Sequence, residues 1–113
     1  MKEIHFVERE HVQNLTQVFP ERDEWESGDW SVRREKAFEL IDRELYLHRG
    51  QKQPAFFAGI IIGFYCIDTQ GVGRMKERIV FRVRRVRELE GKVTPQEGWG
   101  NEQKTVYESN TGV

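Results

Sequence analysis

Two neighbouring segments carry the clearest hydrophobic pattern in the chain. Residues 56–67 are almost entirely apolar, and residues 77–83 alternate, with Ile79, Phe81 and Val83 on one side. Alternation predicts a strand with one buried face, whereas a run that is apolar on both faces predicts a strand buried on both sides or bent within a small barrel. Gly59 and Gly63 favour a bent strand. The short polar interval between the segments predicts an antiparallel pair.

Weaker patterns predict the remaining elements. Residues 32–42 carry an apolar stripe with Ser31 as a possible N-cap, which predicts the main helix. Residues 11–19 suit a short second helix or a turn, because Pro20 follows them. Further strands are expected near residues 4–7, 44–48 and 105–108, and polar loops at 21–29, 49–54 and 90–101. A bulge is expected at Arg84-Arg85, where the alternation slips.

These elements predict one small α+β domain spanning residues 1–113, with residues 110–113 frayed. Its sheet is expected to be a curved antiparallel sheet or a partly closed β-barrel. The length of 113 residues fits a single domain, and 12% aromatic residues argue against disorder despite a hydrophobic content of 37%.

Composition also bears on the compartment. Cys66 is the one cysteine, so no intrachain disulfide forms, which fits a reducing, cytoplasmic setting. The first ten residues are charged and lack the apolar core of a secretory signal. The apolar run 56–67 is shorter than the roughly 20 residues of a membrane helix, so no membrane association is expected. The general pattern is that of a small bacterial or phage-encoded protein.

The formal net charge of −1 conceals a strong division along the chain. Residues 1–30 hold three basic and eight acidic residues, a net charge of −5. Residues 49–87 hold nine basic and two acidic residues, a net charge of +7. Such asymmetry predicts an anionic partner for the middle of the chain, unless the acidic first third masks it.

The basic charge concentrates on one predicted strand. Arg78, Arg82 and Arg84 share a face, and Arg74 and Lys76 lie in the turn before them. Guanidinium groups on one face repel each other unless anions lie opposite. One interpretation is a platform for nucleic-acid phosphates. The other is a solvated face that pairs with the acidic N-terminal third.

Aromatic residues supply candidate base contacts. Trp25 is flanked by acids and is expected to be exposed; together with Tyr46 and Tyr65 it is a candidate for stacking a base. Trp30, beside the start of the main helix, is expected to pack in the core, and Trp99, between two glycines, is expected to have a structural role, with pocket lining as the alternative.

No motif for catalysis or metal binding is evident. His5, His11 and His48 match no zinc spacing, and a surface position is the default for His48. The pair Glu90 and Lys92 formally resembles a nuclease motif but lies at a glycine-containing strand end, where metal-dependent cleavage lacks a rigid support. We therefore predict no catalytic residue, no metal and no cofactor.

The stretch 46–86 resembles the PUA-like superfamily, which includes the ASCH and EVE domains. The residues that carry the resemblance are the apolar, glycine-bearing segment 58–65, a turn, and the alternating segment 78–83. The resemblance implies a small bent-sheet barrel with one or two helices, and relatives of this kind bind RNA or modified bases in DNA. It transfers no particular binding residue to this chain.

Three hypotheses follow for function. The first is a noncatalytic module that binds RNA or modified DNA through the arginine face and the three aromatic residues. The second is a protein-interaction or inhibitor module whose acidic loop mimics phosphates. The third is a small enzyme acting on RNA or a nucleotide. A monomer and a homodimer are both compatible with the sequence. The acidic loop comprises Glu21, Asp23, Glu24, Glu26 and Asp29.

Overall fold

The computed structural model describes residues 2–68 and 77–107 of the chain. These residues form a mostly-sheet domain in which seven strands make one open, mixed sheet. The order across the sheet is β2-β3-β6-β5-β4-β1-β7. The elements are β1 (Glu3–Val7), β2 (Leu15–Phe19), β3 (Glu24–Trp30), helix α1 (Arg34–Glu39), β4 (Glu44–His48), β5 (Ala55–Asp68), β6 (Glu77–Arg85) and β7 (Gln103–Val106).

The expectation of a wholly antiparallel sheet was wrong in one place. Strand β1 lies parallel to β4, with His5 opposite Tyr46 and Phe6 opposite Leu47, whereas the other neighbouring strands are antiparallel. A parallel pair needs a long crossover connection. Residues 8–43 provide it, and they include β2, β3 and α1.

The first third of the chain is strand where the sequence pattern predicted helix and loop. The segment 11–19, expected to be a short helix or a turn, contains the edge strand β2 in its second half, and most of the expected polar loop at 21–29 is β3. Strand β3 pairs with β2 on one side and β6 on the other. Its strand conformation depends on these hydrogen bonds with sequence-distant partners, which local propensity does not report.

Helix α1 is shorter than the predicted 32–42. Its N-cap is Arg33 rather than Ser31. Asp42, just beyond the helix, adopts a positive φ of 72°, and its N–H donates to the carbonyl oxygen of Ile61 at 2.7 Å. This bond to β5 directs the chain into β4 and prevents continuation of the helix. Within the described residues, no helix is long and apolar enough to cross a membrane.

The long β5–β6 pair is antiparallel, as predicted. The irregularity expected at Arg84-Arg85 lies instead in β5, because the register shifts between Ile61 and Gly63. The turn that joins the two strands falls at residues 69–76, outside the described part of the chain, as does the expected frayed end at 110–113.

The main core lies on the face of the sheet that α1 covers. It is an apolar cluster in which Trp25, Trp30 and Phe64 pack at the periphery. The alternating face of β6 is buried there, as the sequence predicted. The fully buried members of this cluster include Ile4, Phe6, Leu40, Leu45, Leu47, Phe57, Ile61, Ile79, Phe81 and Val83.

The two glycines of β5 provide a test of this packing. A Cβ atom at Gly59 would collide with the backbone carbonyl of Arg84 and lie 2.6 Å from Val83 Cγ1, whereas a Cβ at Gly63 would meet nothing within 4 Å. We therefore expect Gly59→Ala to lower the free energy of unfolding by about 2 kcal/mol or more, measured by chemical denaturation. Gly63→Ala is the matched control and should change it by less than about 0.5 kcal/mol. Equal effects would contradict the register of β5 against β6.

Candidate functional site

The arginines of β6 face the acidic residues of β3. Arg82 lies opposite Glu26 in register, and its Nη2 donates to Glu26 Oε2 at 2.9 Å. Its Nη1 lies 3.5 Å from Glu24 Oε1. The hydroxyl of Tyr65 also donates to Glu26, and this bond, followed by the contact with Arg82, holds the pKa of that carboxyl below its usual value. For Arg82 the structure therefore agrees with the second interpretation, in which the arginine face pairs with the acidic N-terminal third.

The other predicted basic residues have different surroundings. Arg84 lies opposite Glu24 in register and is exposed. Arg78 is partly buried and lines a cleft at the other end of β6. Arg74 and Lys76 lie outside the described residues. The structure thus separates Arg78 from the ion-paired part of the arginine face.

Two of the three predicted stacking residues are engaged within the fold. Tyr46 is 1% exposed and stacks on His5 with ring centroids 4.7 Å apart, so its ring is not accessible to a base. Trp25, expected to be exposed, is partly buried against Phe57 and donates its N–H to Asp23 at 2.8 Å. Tyr65 remains 46% exposed.

The acidic set proposed as a phosphate mimic is also largely engaged. Glu24 and Glu26 lie on β3 rather than on a loop, and both contact Arg82. Asp23 accepts from Trp25 and lies 3.8 Å from Arg87. These contacts use carboxylates that the inhibitor hypothesis needs at the surface.

A cleft of about 280 Å³ lies where the end of β3 meets β1 and the start of β7. Its aromatic wall is Trp30, which is stacked on Phe6 with ring centroids 4.0 Å apart. The indole N–H of Trp30 donates to Ser27 Oγ at 2.9 Å. Stacking and this hydrogen bond together fix the plane of the ring. The other lining residues are Asp29, Ser31, Arg78, Gly100, Asn101, Glu102 and Gln103.

Polar groups border this aromatic wall. Among the described residues, no carboxylate forms an ion pair with Arg78, and the exposed Asp29 lies in the same cleft. Asn101 adopts a positive φ of 57° in a turn closed by hydrogen bonds between Gly100 and Gln103. The cleft therefore presents a fixed ring, a cation, amide groups and two carboxylates, those of Asp29 and of Glu102, which pairs with Arg9.

A second polar feature is a buried chain of hydrogen-bonding groups on the opposite face of β1. Lys92 Nζ donates to Glu3 Oε1 at 2.9 Å, and Glu3 Oε2 lies 2.5 Å from His5 Nε2. His5 Nδ1 lies 2.8 Å from His48 Nε2, and His48 Nδ1 lies 2.8 Å from the carbonyl oxygen of Gln53. His5 and His48 are both fully buried, so the default surface position for His48 was wrong.

Burial governs the protonation of this chain. It lowers the pKa of His5 to about 4, against the opposing hydrogen bond to Glu3. It lowers the pKa of His48 as well. Burial alone would raise the pKa of Glu3, but hydrogen bonds with Lys92 and His5 hold it below its usual value.

With both imidazoles neutral and Glu3 ionised, these buried groups would have one hydrogen fewer than their contacts need. Three contacts link Glu3, His5, His48 and the Gln53 carbonyl, and each needs one hydrogen. Two neutral imidazoles supply two hydrogens, and an ionised carboxylate supplies none. If His48 donates to Gln53 and His5 donates to His48, the Glu3–His5 contact lacks its proton.

Residues 90–102 cover the buried chain. The ring of Trp99 meets His5 and His48 edge-on, with ring centroids 6.2 and 5.7 Å away. Its indole N–H is buried without a hydrogen-bond partner among the described residues. Trp99 therefore has the structural role expected of it, although it covers a polar layer rather than the apolar core.

Sequence reasoning missed this polar layer for a physical reason. Glu3 and His5 alternate with Ile4 and Phe6, which is the usual pattern of a strand with one solvated face. No local signal indicates that residues 90–102 fold back over that face.

Glu8, just after β1, is a second buried acid. It is 3% exposed, and its Oε1 has no hydrogen-bond partner among the described residues. Burial raises its pKa to about 7, although the nearby charge of Arg49 acts in the opposite direction. The fold therefore disfavours the ionised form of Glu8.

No known family model, curated protein sequence or solved structure matches this chain. The resemblance to the PUA-like superfamily accordingly stays a prediction.

The missing proton can be tested at Glu3. In Glu3→Gln the side-chain amide donates to His5 and its oxygen still accepts from Lys92, so all three contacts have a hydrogen. We expect this variant to be as stable as the parent or more stable by up to about 1 kcal/mol at neutral pH, in urea denaturation. Glu3→Leu removes the acceptor of Lys92 and should cost about 2 kcal/mol. A similar loss of unfolding free energy in both variants would show that the negative charge of Glu3, rather than the number of hydrogens, stabilises this hydrogen-bonded series.

The raised pKa of Glu8 predicts that the stability of the fold depends on pH. Its pKa is about 7 in the fold against 4.5 for an unperturbed glutamate, so its cost to stability is absent below about pH 4.5, grows between pH 4.5 and 7 and stays constant at higher pH. Glu8→Gln should therefore match the parent in stability near pH 4.5 and exceed it by up to roughly 3 kcal/mol near pH 8.5. The exposed Glu10→Gln is the control and should show no such divergence. Parallel stability curves for Glu8→Gln and the parent would contradict the burial of this carboxyl.

Proposed function

We propose that this chain is a noncatalytic module that binds RNA or modified DNA by holding one unstacked base against Trp30 in the 280 Å³ cleft. The observation that carries the proposal is the pairing of a fixed aromatic ring with Arg78, a cleft-lining cation that forms no ion pair within the described residues. Proteins read single bases by stacking them on aromatic rings and hydrogen-bonding their edges.

The dimensions of the cleft favour one base. Its volume is near the lower limit of ligand pockets, which is about 300 Å³, so it suits one flat ring system rather than a stacked pair. A base inside a duplex cannot reach such a pocket unless it leaves the stack. The nucleic acid is therefore expected to be single-stranded, or a duplex with an easily extruded base.

The polar rim provides groups for both the base and its phosphate. Asp29 accepts hydrogen bonds, and the side-chain amides of Asn101 and Gln103 both donate and accept them. The guanidinium of Arg78 suits either a base edge or a phosphate oxygen. Of the arginines on this face of β6, Arg78 lines the cleft and is part of the proposed site. Arg82 is ion-paired within the fold and is not.

The resemblance of residues 46–86 to the PUA-like superfamily supports the same proposal, since relatives there bind RNA or modified DNA bases. We include in the proposal the finer architecture that the resemblance implies, a partly closed β-barrel. The central β5–β6 pair carries both the resemblance and Arg78.

A binding panel tests the function directly. The full chain is titrated into labelled single-stranded RNA, single-stranded DNA, plain duplex DNA and duplex DNA with a mismatched or methylated base, with fluorescence anisotropy as the measurement. We expect the single strands or the duplex with the altered base to bind more tightly than the plain duplex. Failure to bind any of the four at low salt would refute the proposal.

A pair of arginine variants locates the site. Arg78→Met keeps the aliphatic stem but removes the charge, and we expect it to weaken binding of the preferred oligonucleotide by about tenfold. Arg84→Met, on the same face of β6 but outside the cleft, should weaken it by less than about threefold. Equal losses would contradict the cleft and favour binding across the whole arginine face.

A further inference from the structure

A second cavity lies between β7 and residues 92–98. This groove has a volume of about 470 Å³. Three lysines line it from separate parts of the chain: Lys2 precedes β1, Lys92 lies on the covering segment, and Lys104 lies on β7. The groove is therefore a place where the fold gathers cations that are distant in sequence.

Lys104 is the unusual member of this group. It is only 7% exposed, and its Nζ donates to the carbonyl oxygen of Pro95 at 2.6 Å. No carboxylate in the described part of the chain forms an ion pair with it. An ammonium group has three donor hydrogens, and a buried charge normally has a counter-charge. Within the described residues, Lys104 thus has spare donors and no carboxylate partner at the wall of an open groove.

The buried acidic residue of the groove, Glu3, has other partners than Lys104. Glu3 Oε1 accepts from Lys92, and Glu3 Oε2 is in contact with His5. Both oxygens are therefore committed to the buried chain. The remaining acid, Glu97, is exposed at the rim.

Apolar side chains form the rest of the groove. Val93 is 60% exposed and Tyr107 is 67% exposed, and Pro95 lies beside them. Large apolar groups left open to solvent beside cations suit a ligand with an apolar body and one anionic group.

We propose that this groove binds a small organic oxyanion, either a carboxylate or a phosphate monoester, which Lys104 and Lys2 hold while Val93 and Tyr107 contact its apolar body. This groove is separate from the 280 Å³ cleft in which we propose that a base is held. His5 and Lys104 pair across β1 and β7, as do Phe6 and Gln103 one position along, so the groove and the cleft lie on opposite faces of this two-stranded edge.

The ligand class is tested by isothermal titration calorimetry of the full chain with phenyl phosphate, benzoate and inorganic phosphate. We expect phenyl phosphate or benzoate to bind with a dissociation constant below about 1 mM, and the better of the two identifies the oxyanion. Inorganic phosphate should bind at least about fivefold more weakly, because it lacks an apolar body. The proposal is overturned if neither organic anion binds, or if inorganic phosphate binds as tightly as they do.

The anchor is tested with Lys104→Met, which preserves the aliphatic stem. We expect the affinity for the better organic anion to fall by at least about tenfold, because a charged hydrogen bond is lost. The variant also removes the hydrogen bond to the Pro95 carbonyl, so its melting temperature without ligand is measured to confirm that it is folded at the temperature of the titration. Lys52→Met, at an exposed loop position outside the groove, is the matched control and should bind normally.

Lys2→Met provides a second variant at an exposed position, where folding does not depend on the side chain. It should lower the same affinity by about threefold or more. Unchanged binding in Lys2→Met and Lys104→Met would overturn the site. Oligonucleotide binding should persist in both variants, so a failure of this inference is distinguishable from a failure of the proposed function.

Discussion

The parallel pairing of β1 with β4 is the constraint on which the rest of the fold depends. It places β1 in the interior of the sheet, between β4 and β7, so that all five of its residues are buried. Its apolar face completes the main core through Ile4 and Phe6. Its polar face brings His5 against Tyr46 and His48 and must be covered by another part of the chain.

Residues 90–102 meet that requirement with little regular structure of their own. Lys92 reaches Glu3, Trp99 covers the two histidines, and Lys104 holds Pro95 from β7. Lys92 pairs with the buried carboxylate of Glu3, which would be costly to leave unpaired, and Trp99 packs edge-on against the two histidines. The covering segment in turn creates both cavities, because it forms one wall of the groove and its last residues border the base cleft.

Strand register decides which charged side chains lie opposite each other. Glu24 and Glu26 lie opposite the arginines of β6, so the acidic and basic thirds of the chain neutralise each other where β3 meets β6. Arg78 and Lys104 are cations without a carboxylate partner in the described residues, and each lines a cavity. Both proposed sites therefore depend on cations that have no carboxylate partner in the described residues, rather than on total charge.

The local sequence correctly predicted those strands whose hydrophobic pattern matches the faces that are buried in the fold. The alternation of 77–83, the apolar run 56–67 and the strand at 44–48 predicted β6, β5 and β4, because side-chain alternation directly reports the two faces of a strand. It also placed Arg78, Arg82 and Arg84 on one face. The assignments of 11–19 and 21–29 were wrong because β2 and β3 exist through pairing with each other and with β6.

Only the tertiary structure decided which of those side chains are available and which polar residues are interior. Register against β3 engaged Arg82, and the parallel partner of β1 made an ordinary-looking polar alternation into a buried Glu3–His5–His48 chain. The physical reason is that periodicity specifies a residue's face, whereas the partner strand and the covering segment, which are far away in sequence, specify what lies against that face.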